Sequence, residues 1–364
     1  MPRILVAPLD WGLGHATRCV PLIGELRERG CEVVLAADGP TARLLAQEFP
    51  DLRLLPLRGY GIRYGKGLAV LSLLFQLPHI FRTIRYEHKW LQQLMAKERF
   101  DCIISDNRPG LYHPQAYSVY LTHQLLIRSG FGPGADRLLQ LLHARYIRRF
   151  NKLWVPDLPG NLNLAGLLSH PLTEKESPRY LGLLSRLRPA VAASRYDLLI
   201  LLSGPEPQRT LLEKHLLYQL QPYKGTVLLV RGLPREEKIT IPLPSNIQVA
   251  AHLTATQLQQ VLAGAALVLC RSGYTTLMDL LRLRKKAVLI PTPGQTEQEY
   301  LARHAEELQL FPFLKQKEFE LNKALELATD FPYHHPFTEE DFEQYTGAVD
   351  ELVSELNAAS RTNS

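Results

Sequence analysis

The segment Cys270-Arg271-Ser272-Gly273-Tyr274-Thr275-Thr276-Leu277-Met278-Asp279 carries the densest chemistry in the sequence. An apolar run, Ala266–Cys270, stops at Ser-Gly, and helical spacing begins at once. Ser272, Gly273 and the amides of Tyr274 and Thr275 then make an anion cradle at a helix N-terminus, with Arg271 adding donors. Asp279 lies one to two turns further on, where a carboxylate can hydrogen-bond ribose hydroxyls. The next apolar run, Ala287–Pro291, delivers Gly294-Gln295-Thr296-Glu297-Gln298-Glu299, and the polar side chains of Gln295, Glu297, Gln298 and Glu299 suit sugar hydroxyls.

A second glycine-rich loop, Asp10-Trp11-Gly12-Leu13-Gly14-His15, follows the first apolar run. Gly12 and Gly14 let a backbone approach a diphosphate closely, and the helix behind them offers its positive end. A dinucleotide fingerprint needs a third glycine where Thr17 stands. His15 either caps the helix or acts as a general base near neutral pH, with Asp10 close enough in sequence to orient the loop. Ser203-Gly204 ends another strand, as a tight turn or as a phosphate contact. The run Gly59–Gly67 has the wrong glycine spacing for a phosphate loop and no Ser or Thr after Lys66, so it is a substrate-gripping loop or a plain surface loop. Asp106-Asn107-Arg108 and Thr122-His123 end strands in the same half and are second-rank candidates for an acceptor.

These loops need a scaffold of alternating strands and helices. Strands are expected at Arg3–Leu9, Glu32–Ala37, Arg53–Leu57, Asp101–Ser105 and Val119–Thr122, with helices at Cys19–Arg29, Thr41–Phe49 and Leu68–Lys97. After a linker at Ser177–Ser194 the pattern restarts with strands at Asp197–Leu202, Thr226–Arg231, Asn246–Ala250, Ala266–Cys270 and Ala287–Pro291. Helices are expected between them at Gln208–Leu220, Thr254–Ala263 and Thr275–Arg282, and after them at Glu297–Leu308. Short apolar strands alternating with helices make parallel sheets. The chain is therefore read as an α/β protein of two doubly wound, Rossmann-like domains facing each other across a cleft, at 1–185 and 195–335. A capped helix, Glu339–Leu356, lies in a terminal segment 336–359.

A length of 364 residues suits two domains, and 46% apolar with 21% charged residues is ordinary globular usage. Residues 1–190 hold 25 Lys and Arg against 15 Asp and Glu, and the remainder holds 17 against 21. The basic first half points to an anionic partner: a phosphorylated substrate or an anionic membrane rather than nucleic acid, for which no basic-aromatic signature exists. Four scattered cysteines (Cys19, Cys31, Cys102, Cys270) read as reduced thiols in a cytoplasmic protein. Among twelve histidines only His334-His335 are adjacent, in a Pro-flanked loop, so no metal site is expected. The longest apolar stretch, Leu68–Leu77, is too short to span a bilayer, and the N-terminus is too short for a signal-peptide core. Followed by Arg82, Arg85 and Lys89, that stretch is either a core-facing helix or an interfacial membrane patch.

The run from Leu267 to Tyr300 resembles the C-terminal domain of family 28 glycosyltransferases, which include the N-acetylglucosaminyltransferase acting on the lipid-linked peptidoglycan precursor. It is distantly similar to the UDP-glucuronosyltransferases. The resemblance implies a GT-B fold, a diphosphate held at Ser272-Gly273, a ribose held by Asp279 and a donor sugar held at Gln298, with Glu299 where a second Gln is expected. It also implies a backbone contact to the base at Ala251-His252-Leu253, an acceptor-facing loop at Gly12–His15, and a final helix that packs back on the first domain. The activity so implied is that of an inverting, metal-independent glycosyltransferase that needs no cofactor beyond its nucleotide-sugar donor, a UDP-sugar by likeness. Its acceptor is anionic or lipid-linked, met by peripheral contact with the inner face of the membrane. A nucleotide-sugar 2-epimerase and a non-catalytic nucleotide-sugar-binding subunit are the alternatives.

Overall fold

The computed structural model describes residues 1–61, 69–127, 132–170, 177–190, 195–233, 239 and 241–362. They fall into two compact units. One contains the chain up to Gly61, from Val70 to Arg186 and from Thr338 onward, and the other runs from Leu187 to Phe337.

The first unit begins β1 (Arg3–Pro8), α1 (Leu13–Glu28), β2 (Glu32–Ala37), α2 (Gly39–Glu48), β3 (Leu54–Pro56) and α3 (Ala69–Met95). It continues β4 (Cys102–Asp106), β5 (Tyr117–Leu121), α4 (Pro133–Ile147), β6 (Lys152–Val155) and β7 (Arg179–Tyr180). Its seven strands are parallel in the order β3-β2-β1-β4-β5-β6-β7. In β1, Ile4, Leu5, Val6 and Ala7 are all fully buried. Successive strand residues face opposite sides of a sheet, so a run buried at every position is covered on both faces. That apolar sandwich fixes where the polar residues at the strand ends can go.

The second unit contains β8 (Tyr196–Leu201), α5 (Gln208–Gln219), β9 (Val227–Val230), β10 (Ile247–Ala250) and α6 (Ala255–Ala263). After these come β11 (Ala265–Cys270), α7 (Tyr274–Arg282), β12 (Ala287–Leu289), α8 (Thr296–Glu307) and α9 (Leu321–Asp330). Its sheet is parallel in the order β10-β9-β8-β11-β12. The centre is again buried on both faces, at Leu198, Leu199 and Ile200. Thr254 and Gln257 form a reciprocal capping box at the start of α6, which sets that helix boundary.

Several expectations need correction. α1 starts at Leu13, six residues before the expected Cys19, because Gly12 takes φ 96° as its N-cap, a conformation costly for any residue with a Cβ. Inside the expected linker 177–194, Arg179–Tyr180 instead add the edge strand β7 beside Trp154 and Val155. The helices α4 and α9 and the strand β6 have no counterpart in the sequence reading. The terminal segment opens with a 3-10 turn, Glu340–Phe342, and its helix α10 (Tyr345–Thr362) begins only afterwards. α10 belongs to the first unit, where Ala348, Val349 and Leu352 are fully buried and Arg29 meets Asp350 at 2.7 Å. The apolar side chains supply most of that attachment, since exposed ion pairs contribute little.

Candidate functional site

In the first unit, four polar side chains converge where three neighbouring strands end. The register places Pro8 of β1 beside Asp106 of β4, and Asp106 beside Leu121 of β5. The chain leaving β1 turns through Gly12 into α1, so His15 sits in the first turn of a helix, directly over the end of β4. Arg18 lies three residues on, on the same helix face. His123 follows β5 by two residues. Asn107, with φ 53°, turns the chain after Asp106 and donates its N–H to Leu121 O at 3.0 Å.

His15 Nδ1 lies 3.1 and 3.2 Å from the two carboxylate oxygens of Asp106. Arg18 donates Nε–H to Asp106 Oδ2 at 3.0 Å and an Nη2–H to Oδ1, and its Nη1 lies 2.8 Å from His123 Nδ1. The Cys19 thiol adds a 3.6 Å contact to Asp106 Oδ2. Asp106, Arg18 and His123 are buried, whereas the His15 side chain keeps 15% of its surface. With Nδ1–H donated to the carboxylate, Nε2 is the lone-pair nitrogen, which is the arrangement of an oriented general base.

Burial is the largest influence on His15 and pushes its pKa down; Asp106 pulls it up, Arg18 pushes it down, and the net result lies below the ordinary value. The helix N-terminus acts in the same direction as Arg18. For Asp106, burial pushes the carboxyl up, but Arg18 and His15 outweigh it and hold it well below the usual carboxylate range. At neutral pH the pair is therefore a carboxylate and an uncharged imidazole, ready to accept a proton.

Asp10 does not hold this histidine. Its Oδ1 accepts the Tyr60 N–H at 2.9 Å, and a Cβ on Gly59 would fall 1.8 Å from its Oδ2, so glycine there is what lets the two loops touch. Arg108, expected near an acceptor, is fully buried instead: it donates to Pro8 O at 2.9 Å and to Glu87 Oε1 at 3.0 Å. Glu87 also accepts from Tyr60 Oη at 2.9 Å; burial pushes its carboxyl up to about 7 against the opposing pull of Arg108 and Tyr60. Asn107 is half-buried beside Asp106. Gly14 lies inside α1, where its carbonyl accepts from Thr17 Oγ1 at 2.9 Å. Residues 62–67 of the expected loop Gly59–Gly67 lie outside the described residues.

In the second unit, the loops after β8, β11 and β12 gather over the C-terminal end of the sheet. Arg271 ties them together, donating to Ile290 O at 3.0 Å, Pro291 O at 3.4 Å and Gln208 O at 3.1 Å. Ser272 Oγ donates to Gln298 O at 2.8 Å, and Gln298 Oε1 accepts the Thr292 N–H at 3.0 Å. Glu299 Oε1 accepts from Gly294 N at 3.0 Å. Gly204, at φ 95°, brings the β8 loop so close that a Cβ there would lie 3.2 Å from Thr292 Oγ1. The Thr292 hydroxyl is buried and has no hydrogen-bond partner among the described residues. α7 starts at Gly273, a cap without a side chain of its own, so the positive end of the helix is presented at this convergence.

Around this knot, Thr275 and Asp279 are half-buried on α7, and Tyr274 is buried, so only its backbone can serve a ligand. Ser203 is exposed, and Gln295 and Glu297 are half-buried at the start of α8. After β10, Ala251 is buried with its carbonyl accepting from Leu233 N at 2.9 Å, His252 is exposed and Leu253 is half-buried.

Comparison with known proteins places this second arrangement. The profile of the glycosyltransferase family 28 C-terminal domain matches residues 209–336, a stretch that holds Arg271, Ser272, Asp279 and Gln298. The likeness to family 28 therefore lies in the second unit, and the two parallel units have the GT-B fold. A UDP-N-acetylglucosamine–N-acetylmuramyl-(pentapeptide) pyrophosphoryl-undecaprenol N-acetylglucosamine transferase of Caldanaerobacter subterraneus subsp. tengcongensis is 26% identical over 119 residues, which cover 30% of this chain and 32% of that relative. Two solved structures share the fold along nearly all of their length. The calicheamicin glycosyltransferase CalG4 gives a TM-score of 0.66 at 16% identity over 98% of both chains. The glycosyltransferase VinC, solved in complex with dTDP, gives 0.62 at 14% identity, over 99% of this chain and all of the other (100%).

Within the family 28 domain the guanidinium of Arg271 is thus a brace beneath the cradle rather than the diphosphate clamp expected from sequence. Burial pushes its pKa down to about 10, which still leaves it charged at neutral pH. The Ser272 hydroxyl is likewise committed to α8, so the donors this loop can offer an anion are its amides. Replacing Arg271 by Met strands two buried carbonyls and a part-buried one and should lower stability by roughly 2–4 kcal/mol. Urea unfolding measures it; a variant as stable as the parent but weakened in nucleotide binding would return Arg271 to the role of clamp.

Sequence reasoning passed over Arg18, Thr292 and the pairing of Asp106 with His15. The i,i+3 spacing of His15 and Arg18, and the aspartate closing the apolar run Cys102-Ile103-Ile104-Ser105, were the available signals.

Proposed function

We propose that the protein is an inverting glycosyltransferase that moves a hexose-type sugar from a UDP-sugar to a hydroxyl of a lipid-linked or anionic acceptor. The observation that carries this reading is the His15–Asp106 pair, an oriented base with an uncharged nitrogen, in a chain whose second unit matches a family 28 domain. His15 Nε2 takes the acceptor's hydroxyl proton while the oxygen forms a bond to the anomeric carbon. The bond from that carbon to the diphosphate breaks, and its electron pair leaves with the nucleoside diphosphate. Charge grows on the leaving oxygens, and pre-oriented amides of Ser203-Gly204 and Gly273–Thr275 are suited to stabilise it without a metal or a resident cofactor. Asp279 binds the ribose; Gln295, Glu297, Gln298 and Glu299 bind the donor sugar; the backbone at 251–253 binds the base.

Pyrimidine specificity draws support from the two relatives named for UDP-N-acetylglucosamine and solved with dTDP. No helix among the described residues is long and apolar enough to cross a membrane. The side chains of Leu68–Phe75, in the stretch expected to touch one, lie outside the described residues. A different face suits peripheral contact: on α4, Leu138 and Leu141 are 61% and 62% exposed beside the exposed Arg137, Arg145, Arg148 and Arg149. Exposed leucines within a basic rim match an anionic bilayer surface.

Thermal shifts with UDP, dTDP, GDP, ADP and NAD test the donor assignment, because a ligand that binds only the native state raises its stability. The expected result is a rise selective for UDP or dTDP. Asp279→Ala should weaken that binding roughly 10- to 100-fold, the worth of a charged hydrogen bond to ribose. A rise with NAD alone, or an Asp279→Ala variant that binds UDP as the parent does, overturns the assignment. Sugar-product analysis without acceptor distinguishes transfer from 2-epimerisation.

A further inference from the structure

Arg18 has no place in the proton transfer just described, yet it is 2% exposed and its guanidinium contacts Asp106, His123 and His15. An arginine side chain donates and never accepts, so a ring nitrogen that bonds to it must present a lone pair. Asp106 takes two of its N–H groups side-on, a geometry that only a carboxylate satisfies fully. His123 Nδ1, 2.8 Å from Nη1, must be the accepting nitrogen, so His123 is neutral and carries its proton on Nε2. Nη2 also stands 2.9 Å from His15 Nδ1, but that nitrogen directs its hydrogen to the two Asp106 oxygens at 3.1 and 3.2 Å, so the approach sets one donor against another and disfavours a further charge on His15.

We propose that Arg18 is a positioning residue of this site: its guanidinium keeps Asp106 ionised, fixes His123 as the neutral Nε2–H tautomer, and opposes a second positive charge on His15. Without Arg18, Asp106 and His15 would form a plain carboxylate–imidazolium pair, and the base would be occupied by a proton before the acceptor arrived. With it, the carboxylate's charge is shared between two donors, so His15 stays unprotonated at neutral pH while still oriented by Asp106.

Among the described residues, the charged and titratable groups that face His15 are few: Arg18 and Cys19 from α1, Asp106 from β4 and His123 from beyond β5, with Tyr120 of β5 buried behind Asp106. Of these only Arg18 carries a permanent positive charge, which makes the sign of its removal unambiguous. Losing that charge raises the pKa of His15, so the unprotonated base is lost at a higher pH than in the parent.

The test is ring titration of His15 by NMR in the free protein, assigned with His15→Gln, and it needs no substrate. Arg18→Met should raise the His15 pKa by about one unit or more, whereas Arg18→Lys, which keeps the charge, should hold it within about half a unit of the parent. If Arg18→Met folds and the His15 pKa is unmoved, the proposal fails. If that variant does not fold, the parent alone decides: nitrogen shifts must show His123 protonated on Nε2 and not Nδ1 at pH 7, and the reverse overturns the proposal. The inference rests on His15 as the base. Titration separates the two claims, since a shifted His15 in a protein without transfer activity would refute the function and leave the role of Arg18 intact.

Discussion

His15→Gln should lower kcat/KM for sugar transfer by roughly 10²- to 10⁴-fold while leaving nucleoside diphosphate affinity nearly unchanged. Among the described residues at the ends of β1, β4 and β5, the imidazole alone combines solvent access with an accepting nitrogen at neutral pH: Arg18, Asp106 and His123 are buried, and each is bound to another. Glutamine preserves size and one donor but cannot take a proton. The pH profile of the parent carries the same signature. Because burial and Arg18 hold His15 below the ordinary histidine range, kcat/KM should be flat through neutrality and fall only as pH drops through the lowered value. An acid limb above pH 6.5 would point to a different base.

Asp106→Asn is expected to cost about as much, near 10³-fold in kcat/KM, by a separate route. The amide can turn an N–H toward His15 Nδ1 and leave the proton on Nε2, the wrong tautomer for a base. It also loses half of the paired bond to Arg18, so a buried guanidinium is left with one acceptor fewer. The two losses differ in their readout. Tautomer inversion removes activity at every pH, whereas the lost carboxylate charge lowers the pKa of His15 further and moves the acid limb to lower pH in whatever activity remains. A drop in stability with unchanged kcat/KM would show that Asp106 only braces the fold.

Much of the scaffold was legible in the sequence because apolar period and length are local properties. The run Glu32–Ala37 and the strand ends around Cys270 and Leu201 needed no partner to be read. α4 was not legible: its exposed Leu138 and Leu141 blur the contrast between inner and outer faces on which helical reading depends. The start of α1 was missed because Gly12-Leu13-Gly14 has loop composition, and only the backbone angle at Gly12 shows that the helix has begun.

The same limit explains the site. His15 stood out by its type and its place after a strand, but its partner stands 91 residues away and is brought close only by the parallel register of β1 and β4. Asp10 was the nearest carboxylate along the chain, and the sheet turned it toward Tyr60 instead. Arg271 and Arg108 show the complementary error. A charged residue at a strand end reads as a ligand contact, yet both guanidinium groups are buried and hold loop carbonyls in place. Burial is a property of the whole packing, and no motif records it.

The most direct test of the account is release of nucleoside diphosphate from whichever nucleotide sugar binds, followed with a lipid extract as acceptor source, for the parent and for His15→Gln. Acceptor-dependent release by the parent, its loss by two orders of magnitude or more in the variant, and equal donor binding by both are expected. A variant that releases nucleoside diphosphate as fast as the parent, or a parent that binds no nucleotide sugar, would contradict the account.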